Sequence, residues 1–186
     1  IKDGSAYFQT ALYTGSTSAQ DITFSGNSNL PPDWLWFKAR IASDHFLFDK
    51  LRGVLKTISS NDTNPEVTST GSMTAFGTDG FSLGDGGSDN DINGVSGTNY
   101  VVWGWAANGS GSSNEDGSIN TTATSANTTA GFSISTYTGT GSAATIGHGL
   151  GVTPSMILVK KRDSGSDDAW IIWHTKLPGA NYYLNF

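Results

Sequence analysis

Short runs of aromatic and β-branched residues alternate along the chain with clusters of Gly, Ser, Asn and Asp. Runs bounded in this way read as β-strands closed by turns. The pattern predicts strands over 6–13, 21–25, 33–39, 45–51, 54–59, 81–83, 100–106, 132–138, 155–161, 170–174 and 182–184. Two of them carry the period-2 alternation of a half-buried strand. In Trp34-Leu35-Trp36-Phe37-Lys38 the tryptophans share one face, and in Val101-Val102-Trp103-Gly104-Trp105 Trp103 and Trp105 do the same. Leu47, Leu51, Val54, Leu55 and Ile58 also fit a helical stripe, but Gly53 and the Thr/Ser tail at 57–60 favour a hairpin there. The stretch 108–130 is Gly, Ser, Asn, Thr and Ala with Ile119 as its one large apolar residue, so a linker or long exposed loop is expected.

Motifs recur in order. Phe8-Gln9-Thr10-Ala11-Leu12-Tyr13-Thr14-Gly15 has a counterpart in Phe132-Ser133-Ile134-Ser135-Thr136-Tyr137-Thr138-Gly139. Ile22 then matches Ile146, Pro32 matches Pro154, the strand end Lys38-Ala39-Arg40 matches Lys160-Lys161-Arg162, and Lys50-Leu51-Arg52-Gly53 resembles Lys176-Leu177-Pro178-Gly179. The offset drifts by only a couple of residues, and it drifts in loops, where insertions are tolerated. The division that follows is a first β-sandwich module at 1–107, a linker or loop at 108–130, and an incomplete second copy at 131–186. The opening Ile1-Lys2-Asp3-Gly4 is neither a signal peptide nor an initiator start, which predicts a segment of something longer.

Composition narrows the chemistry. Charged residues make up only 14%, and the formal net charge is -6. A basic face for nucleic-acid phosphates is therefore not expected. The absence of cysteine removes zinc clusters, disulfides and thiol nucleophiles together. No apolar run approaches the roughly 20 residues that insert a helix into a bilayer.

A glycosidase needs two placed carboxyl groups, yet the two glutamates, Glu66 and Glu115, both sit in polar loop text. The histidines His45, His148 and His174 lie beside no nucleophile elbow. His174, ending an apolar strand, reads as a surface cap. No catalytic residue is predicted. Asp89-Asn90-Asp91-Ile92-Asn93-Gly94 matches the opening of a calcium loop, but Tyr100 stands where the bidentate Glu would close it. Two readings stand for this segment: a solvated acidic turn, or a Ca2+ site with Asp85, Asp89, Asp91 and Asn93 as ligands. Trp34, Trp36, Trp103 and Trp105 likewise have two readings, as core or as flat contacts for a glycan.

These features resemble a family of repeated modules in virion proteins of tailed phages, marine and cyanobacterial ones among them. The resemblance covers nearly the whole chain. It rests on Tyr7-Phe8 through Gly15, Pro32-Asp33-Trp34-Leu35-Trp36-Phe37-Lys38, His45-Phe46-Leu47-Phe48-Asp49 with Arg52-Gly53, Asp79-Gly80-Phe81-Ser82-Leu83, Tyr100 through Trp105, Gly131-Phe132-Ser133-Ile134, and Gly147-His148-Gly149-Leu150-Gly151-Val152-Thr153-Pro154. It implies an antiparallel jelly-roll, concanavalin-like β-sandwich followed by a partial second copy. It also implies a non-enzymatic structural and adhesive part at the virion surface, outside the cell: a tail fibre, tail tip or appendage. Other virion proteins, further copies of the chain as a homo-oligomer and a host-surface glycan or protein are the partners it implies. A capsid decoration or spacer without a host ligand is the alternative, and a polysaccharide-degrading enzyme the lesser one. Met156-Ile157-Leu158 replaces the Trp-Leu-Trp strand in the second copy, so a tryptophan-based glycan role would differ between copies.

Overall fold

The computed structural model describes residues 2–86, 92–163, 168–179 and 181–185. The described chain is all-β and antiparallel, apart from one isolated parallel bridge between Ile119 and Ile146 and a 3-10 turn at Gly4–Ala6 whose Ser5 amide is capped by the Asp3 carboxylate. The first half forms β1 (Phe8–Thr14), β2 (Gln20–Thr23), β3 (Trp34–Ala39), β4 (His45–Asp49), β5 (Lys56–Ser59), β6 (Val67–Thr68), β7 (Met73–Phe76), β8 (Gly80–Leu83) and β9 (Asn99–Trp105). They build a six-stranded sheet, β1-β9-β3-β4-β5-β6, and a three-stranded sheet, β2-β8-β7.

The two sheets meet through alternate side chains. On β3 Leu35, Phe37 and Ala39 are buried while Trp34, Trp36 and Lys38 are only half-buried. On β9 Tyr100 and Val102 point inward and Val101, Trp103 and Trp105 outward. The core between the sheets gathers Tyr13, Leu35, Phe37, Phe46, Phe48 and Tyr100 with Phe81, Leu83 and Met73 of the smaller sheet. Its rings meet edge to face: Phe37 lies 5.1 Å from Phe81 and 5.7 Å from Phe48, near-perpendicular in both cases. Gly104 sits among them because a Cβ there would stand 2.6 Å from the Phe24 ring. The Tyr13 hydroxyl donates to Ile92 O at 2.6 Å, and burial pushes its pKa well above the usual tyrosine value, so it remains a donor.

The region 46–58 is the expected hairpin, with β4 pairing β5. Its connection is built around Arg52, almost fully buried. Its Nε donates to Asp49 Oδ2, its Nη2 to Leu47 O at 3.0 Å and its Nη1 to Glu66 at 3.3 Å. Gly53, at φ 92°, supplies the left-handed step that ends the turn.

The second half is described by β10 (Ala123–Asn127), β11 (Phe132–Thr136), β12 (Met156–Val159), β13 (Ile171–His174) and β14 (Leu184–Asn185). β10 and β11 make a two-stranded ribbon, and β12-β13-β14 a three-stranded sheet. The polar stretch expected as linker or loop thus contains a strand. Its small hydroxyl residues are satisfied inside the fold. Ser125 is fully buried with Oγ accepting from Asn108 N at 2.7 Å, and Thr124 Oγ1 shares hydrogen bonds with Thr121 and Ser135. Hydrogen-bonded Ser and Thr can be buried at little cost, so apolar content alone misjudged this segment.

The matched motifs at 8–15 and 132–139 occupy different surroundings. β1 pairs with β9 at the edge of the six-stranded sheet, whereas β11 pairs with the strand immediately before it. The hairpins β3–β4 and β12–β13 agree more closely. Leu35↔Phe48, Trp36↔Leu47 and Phe37↔Phe46 correspond in order to Ile157↔Trp173, Leu158↔Ile172 and Val159↔Ile171.

Candidate functional site

The six-stranded sheet turns one face to the core, and its other face collects the tryptophans. Pairing sets them in rows across the strands. Phe8, Trp105 and Trp34 share one row, and Thr10, Trp103, Trp36, Leu47 and Ile58 the next. Leu12, Val101, Lys38 and His45 form a third row, beyond which lie Thr14 and Asn99. The rings touch along the rows: Trp34–Trp105 at 4.7 Å, Phe8–Trp105 at 4.8 Å and Trp36–Trp103 at 6.1 Å.

One side of this face is covered by the second half of the chain. Phe132 stacks on Trp34 at 5.7 Å and on Trp105 at 6.1 Å. Trp170 and Leu158 close over Leu47 and Ile58 against the flanks of Trp34 and Trp36. Polar bonds anchor this cover: Trp170 Nε1 donates to Ser59 O at 2.8 Å, Lys160 Nζ to Thr63 O at 2.9 Å, and Glu66 N to Arg162 O at 3.1 Å. The Arg162 guanidinium also reaches Glu66 Oε2 at 3.1 Å. Three of the four tryptophans singled out in the sequence, Trp34, Trp36 and Trp105, therefore lie in an internal seam.

The other side is open. Trp103 is half-buried and, among the described residues, meets one ring only, the edge of Trp36. Beside it Thr10 is exposed and Leu12 stands 73% exposed. Two rows further along, a depression of about 180 Å³ is lined by Leu12, Thr14, Arg40 and Asn99 with Tyr13 and Tyr100. An aromatic plane on the same open face as hydroxyl, amide and guanidinium groups can contact an extended ligand that spans the rows and hydrogen-bonds at its far end. At the third row, His45 Nδ1 accepts from Trp36 Nε1 at 2.9 Å, so the ring nitrogen facing the tryptophan is unprotonated. Burial and the neighbouring Lys38 charge lower the His45 pKa, against a smaller upward pull from Asp44.

The calcium candidates divide. Asp89 and Asp91 lie outside the described residues. Asp85 is exposed. Asn93 is wholly buried, and its amide is used by the fold: Oδ1 accepts from Ser16 N at 3.0 Å and Gln20 Nε2 at 2.7 Å, while Nδ2 donates to Ser18 O at 2.8 Å and Gly84 O at 2.6 Å. An oxygen already accepting twice has no lone pair for a cation. Asn93 is thus a clasp between the loop after β1 and the loop after β8. Among the described residues no group of three or more His, Asp or Glu side chains could hold a metal ion.

The candidate catalytic groups are placed apart. Glu66 lies between Arg52 and Arg162. Glu115 belongs to the loop before β10. His148 Nδ1 accepts from Leu150 N at 3.1 Å, and His174 Nδ1 accepts from Lys176 N at 3.1 Å, which caps the turn after β13. The Gly147–Pro154 segment lines an open cleft of about 530 Å³ with Asp116. Two of its glycines lie tight against neighbouring side chains: a Cβ on Gly147 would stand 1.9 Å from Asn114 Oδ1, and one on Gly149 2.9 Å from Ala126 Cβ.

An antiparallel all-β protein with an aromatic sheet face, half seam and half open, is the class that fold and site define. The chain belongs to the family described as Domain of unknown function (DUF7483), whose model matches residues 3–186. No curated protein and no solved structure matches the chain.

Proposed function

We propose that this chain is a non-enzymatic structural and adhesive module of a tailed-phage particle, carried in a tail fibre, tail tip or appendage and contacting a glycan or protein on the host surface. In this reading the first half is a jelly-roll-type sandwich and residues 131–186 are a partial second copy whose strands have been recruited as a cover. The observation that carries the reading is the open Trp103 side of the sheet face, with exposed Thr10 beside it and the depression of Thr14, Asn99 and Arg40 two rows further along the same face. Sugars present flat apolar faces ringed by hydroxyls, which such a surface matches. The acidic net charge is in keeping with a ligand other than nucleic acid.

A second reading, an architectural decoration or spacer without a host ligand, is favoured by the internal use of Trp34, Trp36 and Trp105, because a surface spent on packing is not available for recognition. A glycan array probed with the intact chain separates the two. Retention of a related set of sugars supports the adhesive module, and an empty array leaves the architectural one. Release of reducing ends from host polysaccharide by the chain would overturn both in favour of an enzyme.

A further inference from the structure

The open half of the sheet face ends in cations that no carboxylate of the described chain neutralises. Arg40 follows β3 and donates its backbone N–H to Asn99 O at 2.8 Å, which places it in the fourth row with Thr14 and Asn99. It is exposed and lines the depression of about 180 Å³. Lys38, one row nearer Trp103, curls back to the same spot. Its Nζ donates to Ala39 O at 2.6 Å and to Ile41 O at 2.9 Å, the carbonyls on either side of Arg40. Among the described residues neither Arg40 nor Lys38 forms an ion pair, whereas Lys50, Arg52, Lys161 and Arg162 each do. Asp44, beside His45, accepts from Asn61 Nδ2 at 2.7 Å instead. Asn99 adds to the same polarity: Thr14 Oγ1 donates to its Oδ1 at 3.1 Å, which leaves the two Nδ2 hydrogens as donors on an exposed side chain. This end of the face thus gathers guanidinium, ammonium and amide donors without a carboxylate, in a chain of formal net charge -6. That net charge opposes anions in general, so an affinity for one has to come from a local cluster of this kind.

We infer that the ligand of the open face is an acidic oligosaccharide, one carboxylate of which seats on Arg40 while a sugar ring of the same chain lies against Trp103. The inference rests on the proposed glycan reading of this face and names the class of glycan. The planar guanidinium fork matches the two oxygens of a carboxylate and can hold it bidentately, with the Lys38 charge beside it. Trp103 and Asn99 stand four residues apart on β9, about 13 Å at about 3.3 Å per residue. That span exceeds a single sugar ring, so a monosaccharide reaches one end or the other and an oligosaccharide reaches both. An acidic peptide would meet the same cations without needing a sugar ring on Trp103.

The test is an array of bacterial surface glycans on which every acidic member is spotted beside its carboxyl-reduced, neutral counterpart, probed with the intact chain and with variants whose folding is checked by their melting curves. The wild type is expected to retain acidic glycans and to lose them on carboxyl reduction. Arg40→Gln is expected to weaken that retention at least about tenfold, the loss of a charge-assisted contact. Lys176→Gln, the same charge change in the turn after β13, is expected to bind as the wild type does. Retention of the acidic glycans is expected to weaken as salt rises from about 0.05 to about 0.5 M. Retention of neutral glycans that Trp103→Ala loses and Arg40→Gln keeps would overturn the acidic ligand and leave the adhesive reading standing, whereas an empty array would overturn both. An equal loss in Lys176→Gln, or complete displacement of the retained glycan by poly-glutamate at equal carboxylate concentration, would assign the binding to charge alone and overturn the inference.

Discussion

Replacing Asn93 by alanine removes four hydrogen bonds at a site with no solvent exposure. Gln20 can still bond Thr14 O, but Ser16 N, Ser18 O and Gly84 O lose their Asn93 partner. Each buried group left without a partner costs about 1–3 kcal/mol. Water reaches the exposed end near Ser18, so the expected loss is about 3–5 kcal/mol. For a chain of this length each kcal/mol moves the midpoint by about 2–4 °C, so Tm should fall by about 6–20 °C. Asn93→Asp separates a clasp from a cation ligand. A carboxylate would face the Ser18 and Gly84 carbonyl oxygens with no donor, so its folded pKa is raised above the unfolded value of about 3.9. That variant should be weakest above its raised pKa and recover part of its stability as pH falls through it toward the unfolded value, because the protonated acid regains one donor. The assay is scanning calorimetry at several pH values, with and without calcium. An alanine variant within about 2 °C of wild type, under 1 kcal/mol, would refute the clasp. So would an aspartate variant as stable as wild type with a Tm raised by calcium.

Three further outcomes follow from packing and charge. Phe37→Ala empties a fully buried ring site between Phe48 and Phe81 and should cost about 3–5 kcal/mol, read by chemical denaturation. Arg52→Ala strands the buried Asp49 carboxylate and should cost about 3–5 kcal/mol by the same measurement, a loss that added salt does not reproduce in the wild type. The lowered His45 pKa means the folded chain takes up the proton later than the unfolded chain, so its contribution is present above about pH 6.5 and lost as pH falls through the folded pKa. Protonation also ends the Trp36 Nε1 hydrogen bond, so tryptophan emission should shift on acidification in the wild type and not in His45→Phe.

Much of the architecture could be read from periodicity, and the misses share a cause. Alternation in Trp34–Ala39 and Asn99–Trp105 marked two strands with their tryptophans on one face, as found. It did not say which face was the core. Leu35 and Phe37 face the smaller sheet, while Trp34, Trp36 and Trp105 face a cover built by residues far along the chain. β6, β7 and β10 went unpredicted because Val67–Thr68 and Met73–Phe76 are only two and four residues long within Ser/Thr/Gly text, and Ala123–Asn127 has no large apolar residue to set a pattern. At the site, the tryptophans were visible as residue types, but the division between Trp103 and the three in the seam depends on Phe132 and Trp170, which no local signal connects to them. Asn93 stands out in the sequence only as one of several side-chain oxygens at alternate positions, and its role as a clasp depends on Ser16 and Gln20, more than 70 residues away.

The proposed recognition surface is the open side of the tryptophan face. The most direct measurement compares wild type, Trp103→Ala and Trp34→Phe on one array of bacterial surface glycans, with folding of each variant checked by its melting curve. Wild type and Trp34→Phe should retain the same sugars, and Trp103→Ala should lose at least about tenfold in affinity, the worth of about 1.4 kcal/mol. Equal retention by Trp103→Ala, or none by the wild type, would contradict it.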